Sequence, residues 1–136
     1  MNKLICITTF LLVLSFCIQP SESLAIKKLA EDLLSFSGKG TYYDVGPGSC
    51  GKTDTDSEMV VAINKSQMGN GANPNSNPHC NKRVKIIGSS GKACYARVVD
   101  TCPGCDHGSI DMSPALFKKV CGSLGLGVCS IKWDFV

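Results

Sequence analysis

Three things are missing from this chain, and each closes off a class of function. There is no arginine cluster: Arg83 and Arg97 stand apart, and a net charge of only +3 is spread along the sequence. Nucleic-acid binding needs a concentrated basic footprint, so no nucleic-acid partner is expected. There is one apolar run, Leu4–Ile18, and no second stretch long enough to cross a bilayer. There is also no second C-x2-C or H-x3-H pair. Cys102, Cys105 and His107, with Cys80 or His79 as a fourth ligand, would have to make an unusual zinc site. No metal and no other cofactor is expected.

The single apolar run has a clear reading. Lys3 precedes it, and small residues including Ser21 and Ser23 follow it. A charged start, a short apolar core and a small-residue cleavage site make a secretory signal over residues 1–23. The protein is therefore expected outside the cell or in the cell wall, with no membrane association after cleavage. Removing the signal from 136 residues leaves 113, enough for one domain with one core. One lysine (Lys3) and one glutamate (Glu22) leave with it, so the charge stays at +3.

Two of the nine cysteines, Cys6 and Cys17, also leave. Cys50, Cys80, Cys94, Cys102, Cys105, Cys121 and Cys129 remain. In an oxidising compartment most should be disulfide-bonded. Seven is odd, so one is free or pairs between chains. Seven choices of that cysteine, with 15 pairings of the other six, give 105 patterns.

Along the chain, Leu24–Phe36 has apolar residues at Ile26, Leu29, Leu33 and Phe36 with charges between. That spacing predicts a short N-terminal helix or pro-segment over 24–39, broken by the flexible "SGKG". From Gly40 the pattern changes to short strands with turn residues between them. "TYYDV", "EMVVAI" (Glu58–Ile63), "KRVKII" (Lys82–Ile87), "ACYARVVD" (Ala93–Asp100) and "VCSIKWDFV" read as strands, and "NGANPNSNP" as a loop. In the last strand Cys129, Ile131, Trp133 and Phe135 alternate with Ser130, Lys132 and Asp134. "SPALFKKVC" is the one clear helix of the domain. Ser113 can cap it, Pro114 suits its first turn, and lysines lie toward its end. Five or six short strands and one helix predict a small closed barrel over 40–136.

The segment "VVDTCPGCDHGSIDMSP" (Val98–Pro114) concentrates the chemistry. Cys102-Pro-Gly-Cys105 has thioredoxin spacing, but such a site needs a helix to start at its first cysteine. Here the helix starts eight residues after Cys105, so a redox catalyst is not expected. Asp100 ends a strand and Asp111 enters a helix. If the intervening loop brings them together, one pKa should rise, giving a general acid or a hydrogen-bond donor to a sugar oxygen. The helix dipole beside Asp111 would oppose that shift.

The pieces "GTYYD", "SCG", "EMVVAINKSQM", "RVVDTCPGCDHGSIDMSPALFKKV" and "SIKWDFV" resemble, in order and spacing, the rare-lipoprotein-A-like double-psi β-barrel. The likeness is greatest to the first domain of expansins. Barwin, family-45 endoglucanases and a bacterial secreted papain inhibitor belong to the same fold class. The resemblance covers Gly40 to Val136 and implies a mainly β, six-stranded barrel with one short helix, monomeric and secreted. It makes Asp111 the aspartate needed for wall loosening in expansins and the general acid in the related hydrolases. Asp100 matches the acid beside it. Thr41 matches the threonine of the first-strand motif, and Tyr42 and Tyr43 belong to that motif as substrate-binding candidates. Asp44 resembles the catalytic base of the hydrolases, although aspartate before Gly-Pro-Gly is also an ordinary turn residue, the reading favoured here. An inverting pair would stand roughly 6.5–9.5 Å apart.

The resemblance further implies a Cys50–Cys80 bridge. Cys121 and Cys129 flank a turn they could close, and Cys102 and Cys105 pair locally or one of them with Cys94. Asn64-Lys65-Ser66 is a glycosylation sequon at Asn64. Two departures from expansins matter: Cys102 stands where an aromatic residue is usual, and the second, carbohydrate-platform domain is absent from this sequence.

The expected function is therefore a single-domain protein that binds, and loosens without hydrolysis, a wall polysaccharide such as β-glucan, chitin or peptidoglycan. One alternative on the same barrel is a cysteine-protease inhibitor or host-interacting effector. Another is a minimal glycoside hydrolase, or an enzyme with lytic-transglycosylase-like activity, using Asp111 and Asp44.

Overall fold

The computed structural model describes residues 24–26, 29 and 36–136. The chain divides into two units, residues 1–33 and 34–136. In the first, Leu24, Ala25, Ile26 and Leu29 are helical and exposed. The signal expected over residues 1–23 lies outside the described residues.

The second unit is a closed six-stranded barrel. Its strands are β1 (Phe36–Tyr42), β2 (Val60–Asn64), β3 (Arg83–Ile87), β4 (Ala93–Cys102), β5 (Ile110–Met112) and β6 (Cys129–Phe135). Around the barrel they run β1-β5-β2-β4-β3-β6. The β1/β5 and β2/β4 pairs are parallel and the other four are antiparallel. All five residues of β2 are buried, which explains its unbroken apolar run. Trp133, Phe117, Met68, Ile63, Ile86 and Ile110 fill the interior with almost no exposure.

The helix read from "SPALFKKVC" is α2 (Pro114–Cys121), after a one-turn α1 (Lys65–Met68). Ser113 caps α2 by accepting the Leu116 N–H at 3.2 Å. The helix buries Leu116, Phe117, Val120 and Cys121, the i, i+1, i+4, i+5 stripe of a core-facing helix. Three disulfides form: Cys50–Cys80, Cys102–Cys105 and Cys121–Cys129. Cys94 is free. The Cys50–Cys80 bridge, closing the longest loop of the three, stabilises most in a chain-entropy account, about 3–4 kcal/mol.

Three expectations need correction. First, "SGKG" is not a break. β1 begins at Phe36 and runs through it, pairing antiparallel with β6 from Phe36↔Trp133 to Gly40↔Cys129. Glycine is there for close approach. A Cβ on Gly38 would lie 2.4 Å from the carbonyl carbon and oxygen of Gly108. Second, the domain has α1 as well as α2. Asn64 caps α1 by accepting the Gln67 N–H at 3.0 Å, and Gly69 ends it in the left-handed region. Third, Asn64 is fully buried and its amide nitrogen donates to Ser109 O at 3.0 Å and to Gln67. The folded barrel has no room for a glycan on that nitrogen, so the sequon at Asn64 is structural.

Gly38→Ala is expected to cost about 1–3 kcal/mol, the range for forcing atoms into a close-packed site. It should lower the urea midpoint at unchanged m-value. A variant as stable as the parent would mean that β1 and the Gly108 turn are not in contact.

Candidate functional site

Register brings the acidic residues together. Asp111 in β5 is opposite Thr41 in β1 on one side and Ala62 in β2 on the other. Asp100 in β4 is opposite the same Ala62. The two acids therefore flank one residue of β2, two strand spacings apart, or about 10 Å between backbones.

The Thr41 hydroxyl donates to Asp111 Oδ1 at 2.9 Å. Burial raises the Asp111 carboxyl above its ordinary value, while the hydrogen bonds from Thr41 and the Met112 backbone pull it down. Desolvation wins. The shift has the direction expected from sequence but a different cause, because the Asp100 charge is not what raises it.

Tyr43 completes the group. Its backbone N–H donates to Met112 O at 3.1 Å, extending the β1/β5 pairing beyond the strand. Its hydroxyl oxygen is buried and has no hydrogen-bond partner. Burial, then the charges of Asp100 and Asp111, push this phenol far above its ordinary value. It is thus a donor in the field of Asp100 and Asp111, with Asp54 and Asp56 adding to it. An unpaired buried hydroxyl costs about 1–3 kcal/mol.

The Cys102–Cys105 loop forms a wall. Both sulfurs and an Asp111 carboxylate oxygen lie within 4.8 Å of one another, while Pro103 lines a cavity on Asp100. The sulfurs are bonded to each other, so neither is a thiolate ligand for zinc. Of the histidines weighed with them, His107 meets Ser66 Oγ at 3.0 Å and His79 stacks on Phe135.

The cavity, ≈ 440 Å³, is lined by Ser49, Lys65, Gly69, Asn70, Asp100, Thr101 and Pro103. Asp100 Oδ1 accepts the backbone N–H groups of Ser49 (2.9 Å) and Thr101 (2.8 Å). The Thr101 hydroxyl is shared with Ser49 Oγ (2.9 Å) and Asn70 Nδ2 (2.8 Å).

Thr41, Tyr43, Asp100 and Asp111 are therefore one cluster. Tyr42 is not part of it. Its ring packs 4.8 Å from that of Phe117, and its hydroxyl donates to Leu124 O at 3.2 Å. Asp44 sits exposed after β1, and the cluster is built without it. Sequence reasoning missed Ser49, Lys65, Asn70 and Thr101. The first and third sit in Gly- and Asn-rich turns whose residues have ordinary turn roles.

No family model matches the chain. Over 103 residues it is 39% identical to the papain inhibitor of Streptomyces mobaraensis, covering 74% of this chain and 71% of that protein. The chain belongs to the double-psi β-barrel family of barwin- and expansin-like proteins. The solved Streptomyces papain inhibitor superposes with a TM-score of 0.68 at 38% identity, covering 75% of this chain and 94% of that one. An expansin of Clavibacter michiganensis, solved in complex with cellohexaose, shares the double-psi fold at a TM-score of 0.63 and 23% identity. The match covers 76% of this chain and half of the expansin. A homologue of the allergen Asp f 7 from Arthroderma benhamiae is 41% identical over 85 residues, 62% of this chain but 28% of that protein. The chain thus spans only about a quarter of that relative. Within this double-psi barrel, Asp100 of β4 and Asp111 of β5 flank Ala62 of β2.

The raised Asp111 value carries a stability signature. Because folding favours its protonated form, the stabilisation is complete below the unfolded pKa, near 3.8. It is lost as pH rises through the folded value. Asp111→Asn, uncharged throughout, should therefore be more stable than the parent at neutral pH, with the gap closing in acid. Thermal melts across pH measure this. A variant less stable at neutral pH would show that desolvation does not dominate at Asp111.

Proposed function

We propose that this barrel is a non-hydrolytic binding protein for a cell-wall polysaccharide, acting outside the cell. One observation carries the reading: a buried, unpartnered Tyr43 hydroxyl beside the Thr41–Asp111 hydrogen bond. A sugar hydroxyl entering there accepts from Tyr43 and exchanges a hydrogen bond with Asp111. The cost of leaving Tyr43 unpaired is then removed on binding. Loosening follows when these bonds replace polymer–polymer ones.

Hydrolysis needs a free base positioned opposite the acid. Asp44, the base that the hydrolase reading needs, sits exposed after β1 and outside the cluster, and the Asp100 carboxylate is already engaged by two backbone N–H groups. Three disulfides fit an extracellular protein.

A second reading takes a cysteine protease as partner. It is favoured by the 39% identity to a papain inhibitor. The surface suited to it is the uncharged loop Gly122–Val128. The Cys121–Cys129 bridge clips its base, Tyr42 holds Leu124, and Leu126 and Val128 stand 54% and 46% exposed. Such a preorganised apolar loop binds without a large ordering cost.

Retention on cellulose, chitin and peptidoglycan, with a reducing-sugar assay of each supernatant, tests the first reading. Tyr43→Phe and Asp111→Asn should each weaken retention about tenfold, the effect of one hydrogen bond, with no sugar released by any form. Sugar release by the parent that vanishes in Asp111→Asn would make it a hydrolase instead. For the second reading, papain inhibition should fall at least about tenfold in Leu126→Asp, as for an interface anchor. Papain left fully active by the parent protein would retire that reading.

A further inference from the structure

Charge that is spread along the sequence is gathered by the fold. Residues 36–136 hold eight acidic side chains, and seven of them fall within 44–58 and 100–111. The eighth, Asp134, lies in β6. The strands between carry cations instead. We infer that the outer face of β3, β6 and β1 is a docking surface for a polyuronate, a linear polysaccharide with a carboxylate on each sugar.

Side chains alternate across a strand. Val84, Ile86, Ile131 and Trp133 are buried, as is Gly40. The residues between them therefore face outward. Of these, Arg83, Lys132 and Lys39 are exposed and Lys85 is half-buried.

Register sets these four in line. Arg83 and Lys85 are two residues apart in β3. Lys85 is opposite Asp134 in β6, two residues from Lys132. Lys132 is opposite Ser37 in β1, two residues from Lys39. Diagonal neighbours of this kind stand about 7–8 Å apart. The cations thus form one file that crosses three strands and ends two residues short of Thr41. With Asp134 counted, the face carries a net +3. Arg97, beside it in β4, is matched by Asp54.

One exposed lysine selects nothing. Four cations in file act on the same linear chain at successive points, each within about one Debye length of the next. A neutral glycan gains nothing from that arrangement, whereas a chain charged at every sugar meets a cation along its whole contact. Duplex nucleic acid carries about one charge per 1.7 Å of axis, far denser than this file. Base stacking also lacks a platform, because the Arg83 guanidinium lies over the Tyr95 ring at 5.2 Å.

Equilibrium binding to immobilised polygalacturonate, and to the same polymer with its carboxylates methyl-esterified, tests this. The parent should bind the acidic polymer only, and binding should fade with added salt. Lys39→Gln/Lys85→Gln/Lys132→Gln should weaken it at least about tenfold. Lys52→Gln/Lys118→Gln/Lys119→Gln removes the same charge from exposed positions elsewhere, and should weaken it less than about threefold. Lys132→Glu, at an exposed position within the file, should by itself cost about fivefold, and unchanged melting serves as its folding control. Equal losses in the two triple variants would reduce the effect to net charge and overturn the file. No binding by the parent at low salt, equal binding to the esterified polymer, or tighter binding to single-stranded RNA or to anionic lipid vesicles would overturn it too. None of these results touches the Tyr43–Asp111 reading, which is measured on neutral cellulose.

Discussion

β5 is three residues long, Ile110–Met112, yet it is paired on both edges and carries Asp111. A slip of one residue would turn Asp111 into the core and bring Ile110 or Met112, both fully buried, to the ligand side. Three residues cannot fix their own register, so the surroundings do. The Ser109 hydroxyl accepts the Lys39 N–H at 3.0 Å, and Ser109 O accepts from Asn64 at 3.0 Å. Gly108 O accepts the Trp133 indole N–H at 2.8 Å, and Gly108 N–H donates to Gln67 at 2.9 Å. Gly38 and Gly108 let β1 approach closely enough for these bonds. The buried sequon asparagine, the single tryptophan and the glycine-rich first strand thus serve one end, which is to hold the two residues before β5 so that its second, Asp111, keeps its place beside Thr41.

With register fixed, the electrostatics follow from burial rather than from pairing of like charges. Asp111 and Tyr43 are both partly removed from water, and both shift toward their protonated forms. The helix dipole, which would favour an ionised Asp111, is spent elsewhere. Ser113 stands between them and satisfies the first turn of α2 itself. Asp100 is held differently, accepting two backbone N–H groups where it lines a cavity. The two acids flank the same alanine in different settings, one bonded by the Thr41 hydroxyl and the other by backbone N–H groups.

Strands and helices with a clean period were legible in the sequence. β6 alternates, β2 is an unbroken apolar run, and α2 carries its own cap. The acid positions were legible because they flank the Thr101–Ile110 loop segment between an apolar run and a capped helix, although β4 runs on past Asp100 to Cys102 and Asp111 sits within β5. What escaped was whatever depends on partners distant in sequence. "SGKG" has every local mark of a break, and only its pairing with β6, with Gly108 packed close against Gly38, makes it a strand. Asn64 matches a modification signal, and only its burial against Ser109 shows that its amide is committed. The cavity draws Ser49, Asn70 and Thr101 from three separate segments. Each has an ordinary local reading, and their convergence is a product of barrel closure.

The pair Tyr42–Tyr43 shows how one strand serves two surfaces. Side chains alternate along a strand. Tyr43 therefore joins Thr41 on the acidic face, while Tyr42 crosses to the other side, packs on Phe117 and holds the carbonyl of Leu124. The first presents a buried phenol whose hydroxyl has no partner. The second braces an apolar loop that a disulfide already closes. Because the two surfaces draw on opposite faces of one strand, substitutions on one need not disturb the other. A change of partner within this family can then come from altering a loop or a cavity rim, while the register that builds the barrel stays the same.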